Sequence, residues 1–267
     1  MLRSVRGASL FEHRRGLLGW SVAMVGLVAL LLAFYPSIKG SAAEFQDLID
    51  AMPEALKTVF LGQITDITSP AGYLNGRLFA STMPVLILVF TIGWGTRAIA
   101  GEEEAHTLDL LLSMPVRRRQ VVLGKFTALA IGLAVVCAVM WISLVIFDIP
   151  FGLDVSPGAV AAVTVHLYLF GLVFGALGLA LGAAGGRRGL AAGVTSGVAV
   201  VAFVLSSIAP LSSSTEWLQT LSPLYYYSGS TPLVNGLDPI HLGVLAVLTA
   251  VAVVVGIWAF DHRDLRA

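Results

Sequence analysis

Gly101-Glu-Glu-Glu-Ala-His-Thr-Leu-Asp-Leu-Leu-Leu-Ser-Met-Pro-Val-Arg-Arg-Arg119 is the stretch that decides how this chain is organised. It is a polar island between two long apolar runs. Acids open it, leucines fill it, a proline closes it and three arginines follow. Two membrane crossings can be joined by a much shorter turn. Glu102, Glu103 and Glu104 stand where a helix is expected to start, and free N–H groups there favour negative charge by about 0.3–1 kcal/mol each. Leu108, Leu111 and Leu112 share one face at helical spacing. Pro115 ends the helix, and Val116 before the arginines is pushed toward an extended turn. The spacing predicts an amphipathic helix at the membrane surface. A solvated, charged loop is the plainer reading of such a run, but a leucine face must bury against lipid or a partner.

Working outward, hydrophobic residues make up 57% of the 267 residues and charged residues 12%. A soluble domain carries about 25% charged residues, so most of the chain is expected in lipid. Net charge is zero and indicates no nucleic-acid partner. The single cysteine, Cys137, has no partner for an intrachain disulfide. The first apolar run is long enough to span, and no cleavable signal peptide is expected.

A crossing needs about 20 mostly apolar residues. The runs at about 16–35, 78–100, 121–147, 159–184, 190–211 and 239–260 meet that length. The fold class is therefore an all-α integral membrane protein of six transmembrane helices, in one six-helix transmembrane domain over residues 1–267. An even number of spans puts both termini on one side. That side carries thirteen of the sixteen Lys and Arg residues, among them Arg14, Arg15, Arg97, Arg117, Arg118, Arg119, Lys125, Arg187 and Arg188. The other side carries Lys39, Lys57 and Arg77. Positive charge marks the cytoplasmic side, which places both termini in the cytoplasm and the chain in the cell inner membrane. The long outer loop carries Phe45, Leu48, Ile49, Met52, Leu56, Val59 and Phe60 at helical spacing, as an amphipathic interfacial helix would. Tyr225, Tyr226 and Tyr227 suit an interfacial aromatic belt.

The island resembles a segment of the type-2 ABC transporter permease family. The resemblance rests on Glu103, Thr107-Leu108-Asp109, Leu111-Leu112-Ser113, Pro115-Val116, Arg117-Arg118-Arg119 and Leu123-Gly124-Lys125. Ser222-Pro223-Leu224-Tyr225-Tyr226 before the last span and the Arg263-Asp264-Leu265 ending are similar to the family as well. Asp109 departs from the commoner glutamate but keeps the charge. The resemblance implies a membrane subunit, not itself an enzyme, that pairs with a second permease and with two cytoplasmic ATPase subunits. ATP and Mg would stay on the ATPase, with no cofactor in this chain. The island would be the coupling helix, with Glu102, Glu103, Glu104, Thr107, Leu108, Leu111, Leu112, Arg117, Arg118 and Arg119 as the ATPase contact. Transport would be by alternating access, with export the commoner direction. The residues agree on one point: no phosphate-binding loop occurs, and Gly124-Lys125 runs into an apolar span.

Two small-residue stripes stand out. Gly185, Gly189, Gly193 and Gly197 recur every four residues on span five, and Gly171, Gly175, Gly178 and Gly182 mark span four. Small residues let helices approach closely in lipid. Each stripe reads as packing within one subunit or as a seam with another. His166 lies inside span four, either as a hydrogen-bonded packing residue or as an intramembrane polar site. His106 reads as a surface contact, since the five histidines show no metal-ligand spacing. Arg77 and Arg97 bracket span two as interfacial anchors. The alternative to a permease is a stand-alone ion-coupled transporter or channel. That would want a carboxylate at mid-span, and none of the six runs carries one.

Overall fold

In the computed structural model of the chain, the structure describes residues 2–40, 51–53, 56, 69–107, 116–212 and 214–263. All regular structure among them is helical, and six helical stretches are long and apolar enough to cross a membrane. The first span is Leu2–Ala33, the third Arg118–Phe151, the fourth Pro157–Gly185, the fifth Arg188–Ile208 and the sixth Pro239–His262. The second, Pro70–Glu104, is built from successive helical pieces, with wider π-helical turns at Asn75–Phe79 and Arg97–Gly101. The third, at 34 residues and about 51 Å, exceeds the ~30 Å apolar thickness of a bilayer and must tilt or project.

The second, third, fourth and sixth expected runs each fall inside one of these helices. The first overshoots its helix, which ends at Ala33 before a turn at Phe34 and a short helix Tyr35–Gly40, and so does the fifth. In the fifth the α-helix stops at Ile208 and a 3₁₀ turn covers Ala209–Leu211. The outer amphipathic helix lies outside the described residues apart from 51–53 and 56.

Span four is the centre of the bundle and packs against spans two, three and six. Its glycines explain why. A Cβ on Gly171 would stand 2.6 Å from Ile87, and one on Gly178 would stand 3.0 Å from Thr96. Gly182 faces Ala100, and Gly95 of span two lies against the backbone carbonyl of Gly175. This stripe is packing inside the subunit, where close backbone contact replaces the hydrophobic drive that lipid does not supply. Span six joins through Gly256, set against Ala180. The core is completed by Met83, Ile87, Leu129, Leu133, Met140, Phe170 and Phe174, all buried.

Most hydroxyls within the spans are satisfied locally. Thr91, Thr96, Ser143, Thr164, Thr195 and Thr249 each donate to the carbonyl four residues back. The tyrosines divide. Tyr227 is buried and donates to the carbonyl of Phe79 at 2.7 Å, where the second span is interrupted. It is a core residue rather than part of a belt, while Tyr225 and Tyr226 surround the His241 ring. Ser222 caps the short helix Pro223–Ser228 and also donates to Ala202 at 2.8 Å, tying that helix to span five.

Candidate functional site

One end of the bundle gathers the charges. Span two finishes there with Arg97–Gly101 and Glu102–Glu104, next to the starts of spans three and five and the ends of spans four and six.

The three acids are not where the spacing put them. Glu102, Glu103 and Glu104 close the second span instead of opening an island helix. At a helix C-terminus their charge is unfavourable, and each is compensated from another span. Glu102 pairs with Lys125 of span three, whose side chain is 5% exposed. Glu103 pairs with Arg263, just past span six. Glu104 accepts the Arg188 N–H at 2.9 Å, so it caps the start of span five. An acid at a helix start is thus present, but on a different helix.

Gly186 makes room for the second pair. It ends span four in the left-handed region at φ +62. A Cβ there would overlap Arg263 Nη2 and stand 2.6 Å from Glu103 Oε2. Only glycine meets both demands. Arg263 Nη1 also donates to the Ala183 carbonyl at 3.1 Å. Arg118 closes the ring by donating to the carbonyls of Phe260 at 3.0 Å and Arg263 at 2.7 Å, with its guanidinium over the Phe260 ring. The end of span two is therefore tied to spans three, four, five and six.

Of the other island residues, Thr107 folds back, its hydroxyl 3.1 Å from the Glu102 carbonyl, and His106 adopts φ 54 at the turn. Leu108, Leu111 and Leu112 lie outside the described residues. Arg117 and Arg119 are exposed where span three begins, and Arg118 is turned inward. Lys125, Arg188, Arg263 and Gly186 were not singled out as partners of the acids. Their separations of 23, 84 and 160 residues for the three contacts leave no local signal.

The span-five stripe differs from that of span four. Gly185 is the last residue of span four, beyond which the chain turns at Gly186, so only Gly189, Gly193 and Gly197 lie on span five. All four are exposed, and a Cβ on any of them meets nothing within 4 Å. Val194, Val198 and Val201 are exposed on span five as well. His166 is fully buried in span four. Its Nδ1 donates to the Ala162 carbonyl at 2.9 Å, and Nε2 has no partner among the described residues. No cluster of three His, Cys, Asp or Glu side chains fit for a metal occurs among the described residues.

The family model for the ABC-2 family transporter protein matches residues 12–265. The chain belongs to the ABC-2 transporter family. The six spans described above accord with an ABC transporter permease. The chain is similar to the uncharacterized membrane protein YdbK of Bacillus subtilis (strain 168), 25% identical over 213 residues, covering 73% of this chain and 83% of that one. It is also similar to the probable ABC transporter permease protein NosY of Stutzerimonas stutzeri, 33% identical over 99 residues, or 34% of each chain.

Proposed function

We propose that this ABC-2 protein is the membrane subunit of an exporter driven by a separate cytoplasmic ATPase. The end that gathers the acids faces the cytoplasm, in keeping with the thirteen basic residues assigned to it. The segment 105–117, with its Leu108, Leu111 and Leu112 face, is the docking element for the motor. Two permease copies pair, and the open glycine stripe of span five is the surface available for close approach.

The observation that carries this reading is the triple anchoring of Glu102, Glu103 and Glu104. A push on the segment after Glu104 reaches spans three, five and six through one ion pair, a second ion pair and a helix cap. Span four follows through Gly186 and Ala183. Displacement at one point becomes a tilt of most of the bundle, as alternating access requires.

The test is co-expression with candidate ABC ATPase subunits from the same genome. Leu108→Asp with Leu111→Asp is expected to abolish co-purification of the ATPase while the permease still inserts. Co-purification and ATP hydrolysis unchanged in that variant would contradict the docking assignment.

A further inference from the structure

Between the first and second spans, at the charged end, lies an open cleft of about 280 Å³. Its inner wall is aromatic. His13 stacks on Trp94 with ring centroids 4.4 Å apart, and Trp20 meets Phe90 edge-on at 5.5 Å. Its rim is cationic: Arg97 and Arg188 both line it. The two side chains run together past Gly101, where a Cβ would lie 3.4 Å from Arg97 Cβ and 4.0 Å from Arg188 Cδ.

Two features of this cleft are unexplained by the seam. Ion pairs among the described residues join Glu102 to Lys125 and Glu103 to Arg263, with His241 4.0 Å from Asp238 as a third only when protonated, and none includes Arg97 or Arg188. The Glu104 carboxylate is engaged with the Arg188 backbone N–H rather than with either guanidinium. Two guanidinium groups lining one cleft without an ion-paired carboxylate repel each other, and each keeps its fork of donors for a planar or tetrahedral oxyanion. Trp94, only 4% exposed, has an indole N–H with no partner among the described residues. Cationic above, aromatic below and open toward the lipid side through the exposed Val89, the cleft has the polarity of a bilayer leaflet. Its volume sits near the lower end of the ~300–1,000 Å³ of small-molecule sites, enough for a headgroup whose chains remain in the bilayer. Basic pockets between spans recognise anionic headgroups.

We propose that this cleft binds an anionic bilayer phospholipid, with the phosphate held by Arg97 and Arg188 and the upper acyl chain laid on Trp20 and Phe90. The lipid holds the first span against the second and fifth. It is a site separate from the docking segment, and it stands whether or not an ATPase binds there.

The full chain is reconstituted in phosphatidylcholine nanodiscs, and brominated-chain phosphatidylglycerol or brominated-chain phosphatidylcholine is added. The Trp20 signal is taken as the difference from Trp20→Phe. At about fivefold per arginine, phosphatidylglycerol is expected to quench Trp20 with roughly 30-fold preference over phosphatidylcholine. Arg97→Gln with Arg188→Gln should remove that preference, and Arg97→Lys with Arg188→Lys should keep most of it. If the double glutamine variant does not reconstitute, Arg97→Gln alone should lower the preference about fivefold. Equal quenching by the two lipids, or a preference unchanged in the glutamine variants, overturns the proposal. Relief of quenching by inorganic phosphate at neutral pH also overturns it, since the occupant would then be a free anion.

Discussion

Gly186→Ala is expected to open the seam between spans two, four and six. The backbone at φ +62 costs an alanine about 1 kcal/mol relative to glycine. The new methyl would also sit 2.6 Å from Glu103 Oε2 and overlap Arg263 Nη2, so the pair must separate. The two side chains are 21% and 16% exposed. Exposed pairs contribute about 0–1 kcal/mol, and breaking a buried one costs about 3–5 kcal/mol, so this half-buried pair should cost about 2 kcal/mol. The sum is about 3 kcal/mol. At roughly 2–4 °C per kcal/mol for a chain of this size, the apparent melting point should fall by about 6–12 °C. The lone cysteine supplies the assay: Cys137 is buried at 3% exposure and becomes reactive to a thiol-sensitive dye on unfolding. Gly243→Ala on span six is the control, since a Cβ there meets nothing within 4 Å, and it should melt with the parent or slightly above it. In an Arg263→Gln background, Gly186→Ala should cost only the backbone strain. A parental melting point for Gly186→Ala would refute the crowding argument, and so would an equal loss in Gly243→Ala.

Other outcomes follow from the same contacts. Lys125→Met leaves Glu102 without its cation beside a residue only 5% exposed, and should cost about 3 kcal/mol by thiol-dye melting, with little dependence on salt. Gly95→Ala should be more damaging than Gly175→Ala, because its methyl meets the Gly175 backbone carbonyl, whereas that of Gly175 meets the movable Leu129 side chain at 2.9 Å. Asp238 caps the sixth span, and hydrogen bonding from the His241 N–H first, with desolvation opposing it and the His241 ring and Ile240 N–H assisting, holds its carboxyl below the usual range. A depressed carboxyl stabilises above its unfolded pKa and loses that contribution as pH falls through the folded value. Asp238→Asn should therefore differ from the parent at neutral pH, and the two should converge in acid below 3.8.

The six spans were legible because each is a long apolar run, and length in lipid leaves little choice of structure. What lay beyond them depended on facing. Two glycine stripes with similar spacing look alike in sequence, yet that of span four is buried against Ile87, Thr96 and Ala100 and that of span five is open. Hydropathy cannot tell these apart where a helix is apolar all round. The acids were misplaced for a related reason. Gly101 after Ala100 is absorbed in the π turn at Arg97–Gly101 instead of ending the helix, so the second span runs on to Glu104. The cations that make this tolerable come from Lys125 and Arg263, out of reach of any local rule. The same holds for the cleft: Arg97 reads as an interfacial anchor until Arg188 is found beside it.

Topology and docking can be read together from a single thiol. In a Cys137→Ala background, Leu111→Cys places the reporter on the leucine face of the docking segment. A membrane-impermeant maleimide should label it only when the cytoplasmic side is exposed, in inside-out vesicles, and bound ATPase should protect it. Labelling from outside intact cells would put the charged end on the wrong side of the membrane for any cytoplasmic motor.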